Sequence, residues 1–269
     1  MERPSWTREE LEWNRPNIAR MYDYFLGGAH NFAVDREAAE RAASIYPELP
    51  LILQVNRGFL RRAVAFLANQ GIKQFLDIGS GIPTAGNVHE VAQAIHADAR
   101  VVYVDIDPVV VLHSEAILQD NPLAASVQGD VRHAAHILED PLVHRLLDFN
   151  KPLAVLLISI LHFVPDQEAI PAVRILREAL PPGSYLALTH ASADNMSPEA
   201  RADLERFWES TRNLMYFRSR SQLTEFFEGL VLVDPGLVHI PLWRPDSPED
   251  LFFDEPERTS GYAGMGRSP

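Results

Sequence analysis

The residues best suited to chemistry lie in one stretch, Asp77-Ile78-Gly79-Ser80-Gly81-Ile82-Pro83-Thr84, which closes the apolar run Phe75 to Ile78. Glycine has no Cβ, so Gly79 and Gly81 let backbone and ligand approach closely, and a helix starting after them offers free N–H groups. A second apolar run, Val101 to Val104, ends in Asp105-Ile106-Asp107-Pro108. A carboxylate at that distance from the glycines can accept hydrogens from both hydroxyls of a ribose. Asp105 is preferred for this because it follows the apolar run directly. Asp107 is the alternative, and its other reading is the cap of a helix that begins at Pro108. Together these residues describe a nucleoside site, with Ser80 and Ile106 beside the key positions. A dinucleotide-binding turn wants a third glycine where Thr84 stands, so the pyrophosphate-binding pattern is broken.

His162 follows the apolar run Leu153 to Ser159, where strand-end residues face a cleft. It reads either as a general base or orienting group, since an imidazole of ordinary pKa is largely neutral at pH 7, or as a structural histidine tied to backbone. Before the glycine loop, Tyr22, Tyr24, Phe25 and Phe32 suit the core of a helical cap. His30, Asn31 and Asp35, beside the Gly27-Gly28 break, are less easily explained by packing alone. Tyr24, His30 and Asn31 are therefore expected at the ligand. His89, His96, His133 and His136 lack an acidic partner at zinc-like spacing, and no metal site is expected.

These residues need elements to hold them. The N-terminal part of the chain reads as helical: Arg20 to Leu26, Arg36 to Ile45 with Asp35 as N-cap, and Pro50 to Asn69. From Lys73 the pattern changes to short apolar runs, at 75–78, 101–104, 126–128, 153–159, 185–189 and 230–233. Between them lie helical stretches at 85–95, 108–118, 166–180, 198–213 and 221–227. Such alternation predicts βα units and a mostly parallel, doubly wound α/β sheet, with helices on both faces because the first four runs show no clean alternation. Pro181-Pro182-Gly183 predicts a turn. The stretch from Pro241 to Glu257 reads as a surface loop, and 260–266 as a final strand. The expected organisation is a helical extension over 1–70, lidding the cleft at the strand ends, and an α/β domain over 71–269.

Composition sets limits. The chain has 269 residues, 46% hydrophobic and 23% charged, and no cysteine, which excludes disulfides, thiolate metal sites and a cysteine nucleophile. The net charge of −13 disfavours a nucleic-acid partner. The basic clusters Arg57, Arg61, Arg62 and Arg212, Arg218, Arg220 read as solvated helix faces. A charged start and the lack of an apolar run long enough to span a bilayer predict neither signal peptide nor membrane span, and hence a cytoplasmic protein.

The order Asp-x-Gly-x-Gly, acidic strand end, and Gly129-Asp130 resembles the class I S-adenosylmethionine-dependent methyltransferases, which have a Rossmann-like fold. The resemblance implies that Asp77, Gly79 and Gly81 cradle the methionine and ribose parts of the cofactor and that Asp105 binds the ribose. It also implies that Asp130, with Val131, meets the adenine amine, and that Ser159 to Phe163 lie below the methyl group. The stretches Arg15-Pro16-Asn17 to Gly28, Asn31-Phe32, Asp35-Arg36, Leu161 to Asp166 and Tyr262 to Arg267 resemble more narrowly a bacterial S-adenosyl methyltransferase family long catalogued as a domain of unknown function. The activity so implied is methyl transfer to a small-molecule acceptor. Two alternatives are a module that senses S-adenosylmethionine without turnover, and a nucleotide-dependent oxidoreductase. The second is disfavoured by Thr84 and by the lack of a Tyr-x-x-x-Lys pair.

Overall fold

The computed structural model describes residues 14–83, 86–211 and 213–269. Thr84, Ala85, Arg212 and the charged start over 1–13, on which some of the expectations above fall, lie outside the described residues. Five apolar runs form parallel strands: β1 Gln74–Ile78, β2 Arg100–Asp105, β3 Ala124–Gln128, β4 Ala154–Ile158 and β5 Tyr185–Ala191. Three more, β6 Val231–Leu232, β7 Val238–His239 and β8 Gly261–Arg267, complete the sheet. Its order is β3-β2-β1-β4-β5-β8-β6, with β7 also on β8, and β8 runs antiparallel to β5. The chain order reverses between β1 and β4, which opens a crevice at their C-terminal ends.

Helices cover both faces. Alternation along a strand sends Leu76, Val102, Val104 and Val155 into one core with α6 Ala134–Glu139, α7 Pro141–Leu146, α8 Asp166–Glu178 and α10 Arg220–Glu225. It sends Phe75, Val101, Tyr103 and Leu156 into another with α3 Leu49–Asn69, α4 Val88–Ile95 and the end of α5 Pro108–Leu118. By the same period of two, Asp77 and Asp105 share the face of Phe75 and Tyr103, the face that α3 covers. A third core joins α1 Ile18–Phe25 and α2 Ala33–Ile45 to α9 Pro198–Ser210 through Met21, Ala38, Ala42, Leu204 and Trp208. Helix α3 therefore shares the sheet's core, and among the described residues it is α1 and α2 that build an N-terminal cap, with α9.

Several expectations change. Asp35 lies inside the first turn of α2, which starts at Ala33, and its Oδ2 accepts back from the Phe32 N–H at 2.8 Å. Helices α6 and α7 escape periodicity because each is short, and they are split where Asp140 caps α7 through Leu142 N–H. The stretch 241–257 is not wholly superficial: Trp243 is fully buried, edge-on to Phe59 and Phe66 at 5.1 and 5.8 Å. Arg57 and Arg218, expected on solvated faces, are 8% and 3% exposed. Arg57 is enclosed because α3 is wedged between sheet and cap.

Candidate active site

The turn after β1 is fixed by β2. Gly79 and Ser80 N–H both donate to Val104 O, at 2.8 and 3.1 Å, and Gly81 N–H donates to Asp105 Oδ2 at 2.9 Å. Gly79 has φ of 72°, and a Cβ there would lie 2.6 Å from Ile160. The residue is glycine because the chain after β4 leaves no room for a Cβ. Asp105 accepts a second bond from Asp107 N–H at 3.0 Å. Burial nevertheless pushes its pKa up to about 6, partly offset by these N–H groups. Asp107 caps α5 through Val109 N–H at 2.8 Å and pairs with Arg20 at 2.9 Å.

A cleft of about 550 Å³ opens over these strand ends. Of the sequence candidates, Asp77, Gly79, Ser80, Gly81, Asp105, Ile106, Asp130, Val131 and Ser159 line it. Asp130 is already engaged: it caps the turn 131–133 and takes both oxygens to the Arg132 guanidinium, at 2.9 and 2.8 Å, which contributes to a lowered pKa against the opposing effect of burial. Ser159 holds φ of 57°, a conformation that strains a residue with a Cβ, and its N–H donates to Thr189 Oγ1 at 2.9 Å.

Asn17 and Tyr22, from the N-terminal stretch 15–36 expected to form part of the active site, also line the cleft, as do Asn56 and Arg57, which were not expected there from sequence. The Arg57 guanidinium lies over the Tyr22 ring at 5.9 Å, and its buried Nε has no hydrogen-bond partner. Asp77, 4% exposed, has no hydrogen-bond donor among the described residues. Burial lifts its pKa to about 7, moderated by the charge of Arg57 and reinforced by that of Asp105. A basic residue one position from an apolar stripe of a long helix was the only available signal for Arg57.

Tyr24, His30 and Asn31 are not brought to this cleft. Tyr24 Oη donates to Glu40 at 3.0 Å on the cap surface. The His30 N–H and Asn31 Nδ2 donate to Asp23 Oδ2 at 2.8 and 2.9 Å, and the His30 ring meets His113 edge-on. Gly28 sits so close that a Cβ would lie 2.1 Å from the Asp23 carboxylate. Loop construction thus accounts for Asn31 and for the His30 backbone, while the buried His30 Nδ1 has no hydrogen-bond partner among the described residues. Arg20, buried, joins Asp35 at 2.9 Å to Asp107 and so ties the cap to the end of β2.

His162 lines a neighbouring chamber, not the cleft. It is 6% exposed, and burial, with the Arg218 charge, pushes its pKa down to about 3. Its Nδ1 accepts from Ala191 N–H at 3.4 Å. A ring so placed is neutral near pH 7 and a poor proton acceptor. Arg218 holds the whole segment, donating to Leu161 O and Val164 O at 2.7 Å and pairing with Asp166 at 2.7 Å.

No helix among the described residues is long and apolar enough to cross a membrane. Residues 4–269 match the S-adenosyl methyltransferase family. A crystal structure of a putative methyltransferase from Thermobifida fusca YX is similar over 98% of this chain and 99% of its own, at 42% identity and a TM-score of 0.90. A DUF574 family protein from Streptomyces avermitilis MA-4680 is similar over 96% of this chain and 100% of its own, at 38% identity and a TM-score of 0.90. An O-methyltransferase family protein from Burkholderia thailandensis, 14% identical, covers 97% of this chain and 66% of its own at a TM-score of 0.53, a likeness of fold. No protein of curated function matches. With a class I, Rossmann-like sheet and a family match over nearly its whole length, the chain belongs to the S-adenosyl methyltransferase family, whose cofactor is S-adenosylmethionine.

Proposed function

We propose that the protein methylates a small-molecule acceptor and that the cleft over β1, β2, β3 and β4 holds S-adenosylmethionine. The observation that carries the reading is the pair Arg57 and Asp77, a guanidinium and a carboxyl buried in one wall, where the Arg57 Nε forms no hydrogen bond and the Asp77 carboxyl receives none among the described residues. An α-amino acid end fits them: its carboxylate would take the Arg57 guanidinium, and its ammonium would take Asp77. Asp105, whose oxygens each have one backbone N–H, retains lone pairs for two ribose hydroxyls. Ile106 and Leu214, 52% and 53% exposed at the cleft lip, offer apolar faces to an adenine, with Val131 and Asp130 beside them.

When bound, S-adenosylmethionine supplies a methyl group already activated by a sulfonium. The chain's own task is then to align an acceptor and exclude water. Ser159, Asn56 and Tyr22 stand at the wall shared by the cleft and the chamber beside it, and Ser159 is pinned by Thr189. The acidic chain and a chamber of only about 100 Å³ both favour a small acceptor.

Calorimetric titration with S-adenosylhomocysteine and with NADH tests the reading. Binding of the first, weakened in Arg57→Ala, is expected; binding of NADH alone would overturn it. Transfer of labelled methyl from the cofactor to a component of a small-molecule extract then separates an enzyme from a sensor.

A further inference from the structure

Beside the cleft lies a second cavity of about 100 Å³, lined by α1, α3 and α9 and by residues at the ends of β4, β5 and β8. It shares Ile18, Tyr22, Asn56, Ser159 and Phe163 with the cleft, so a molecule in it would abut whatever fills the cleft. Among the described residues that line it there is no Asp, Glu, Lys or Arg. Aromatic edges dominate, with Phe163 set edge-on to Trp208 at 5.4 Å.

Its two histidines have fixed roles. His190 Nδ1 lies 2.6 Å from Ala191 O and must donate to it, which leaves Nε2 to accept from Arg218 Nη1 at 2.7 Å. His162 Nδ1 accepts from Ala191 N–H, so its proton sits on Nε2, which has no partner among the described residues. Burial keeps both rings uncharged at neutral pH. His162 therefore brings one N–H donor and no charge to the chamber wall.

We infer that this chamber is the acceptor site, and that its occupant is an uncharged, single-ring molecule carrying a hydrogen-bond acceptor for His162 Nε2–H. The inference rests on the cofactor reading above. Size allows no more than one ring: an engineered apolar cavity of about 150 Å³ takes up benzene, and this smaller chamber adjoins the cleft, into which a substituent can extend. Chemistry supports neutrality, because a charged group would enter a desolvating site that offers no counter-charge.

The test is ligand-observed NMR titration of acetophenone, benzoate and benzylamine on the full chain, with and without S-adenosylhomocysteine. Acetophenone is expected to bind with a Kd of about 1 mM, as suits a fragment, and the two charged probes about tenfold more weakly or worse. Leu204→Trp, which fills the chamber, should abolish acetophenone binding while S-adenosylhomocysteine affinity stays within about twofold. Met215→Glu, on a half-buried coil position, is the second variant should Leu204→Trp not fold. Equal binding of all three probes, no binding of any, or acetophenone binding that survives both variants overturns the inference. Failure of S-adenosylhomocysteine to bind instead overturns the cofactor reading, because the probe series in its absence still reports on the chamber.

Discussion

Thr189 Oγ1 on β5 donates to Asn56 Oδ1 on α3 at 2.6 Å, across 133 positions of sequence, and both residues are buried. The bond belongs to a directional chain. Ser159 N–H donates to Thr189, Asn56 Nδ2 donates to Tyr22 Oη at 2.9 Å, and Tyr22 donates to Leu53 O at 3.1 Å. It joins the end of β4 to the cap helix α1 through the wall common to both cavities. Thr189→Val removes a donor and an acceptor at once and leaves buried groups unsatisfied. A loss of about 1 to 3 kcal/mol of stability is expected by urea denaturation. An unchanged midpoint would show that the chain of bonds holds nothing.

Arg57→Ala should weaken S-adenosylhomocysteine binding by about tenfold or more, since hydrogen bonds to charged groups contribute roughly 1.5 to 3 kcal/mol each. Asp105→Ala should do likewise through the ribose. Calorimetry on folded variants measures both, and full affinity in either removes that residue from the site.

The raised carboxyl pKa values make stability and binding depend on pH. Asp77 at about 7 and Asp105 at about 6 hold protons in the native state that the unfolded chain gives up near pH 4. Their stabilising contribution is present below about pH 4 and is lost as pH rises through 6 and 7. Asp77→Asn should therefore gain on the wild type as pH rises from 5 to 8, by an amount on the order of a few kcal/mol. Binding of an ammonium at Asp77 should also expel about half a proton at pH 7, seen as buffer-dependent heats. Parallel stability curves for the two proteins would contradict the assignment.

Arg20→Ala would leave Asp35 and Asp107 buried without their cation. Breaking such a pair costs about 3 to 5 kcal/mol, and Arg20→Lys should restore little of it, because one ammonium cannot bridge two carboxylates with the same fork. Thermal denaturation of the three proteins checks this, and a rescue by lysine would argue for simple charge neutralisation.

For His162, the turnover profile should show no limb that vanishes in its variants between about pH 5 and 9, because its pKa lies near 3. His162→Gln keeps an N–H donor and should retain more turnover than His162→Phe at equal folded fraction. A basic limb lost in both variants would restore the role of general base.

The local chemistry of the glycine turn was legible in the residues themselves. Asp77, Gly79, Gly81 and Asp105 sit at the ends of short apolar runs, and the parallel sheet follows from alternation of such runs with helices. The cap formed by Asp107 was readable from local spacing too, since a residue before Pro108 is placed to cap. What the chain alone could not decide is which face of a long helix is covered. Arg57 and Arg61 look alike in sequence, yet only packing of α3 between sheet and cap makes the first a buried cleft residue. The same holds for Asn31, a polar residue beside a glycine pair: the approach of the Asp23 carboxylate, set by the fold of α1 onto its own following loop, turns its side chain into a support. Burial is a property of distant segments meeting, and so the charge state of Asp77 and His162 belonged to the tertiary structure alone.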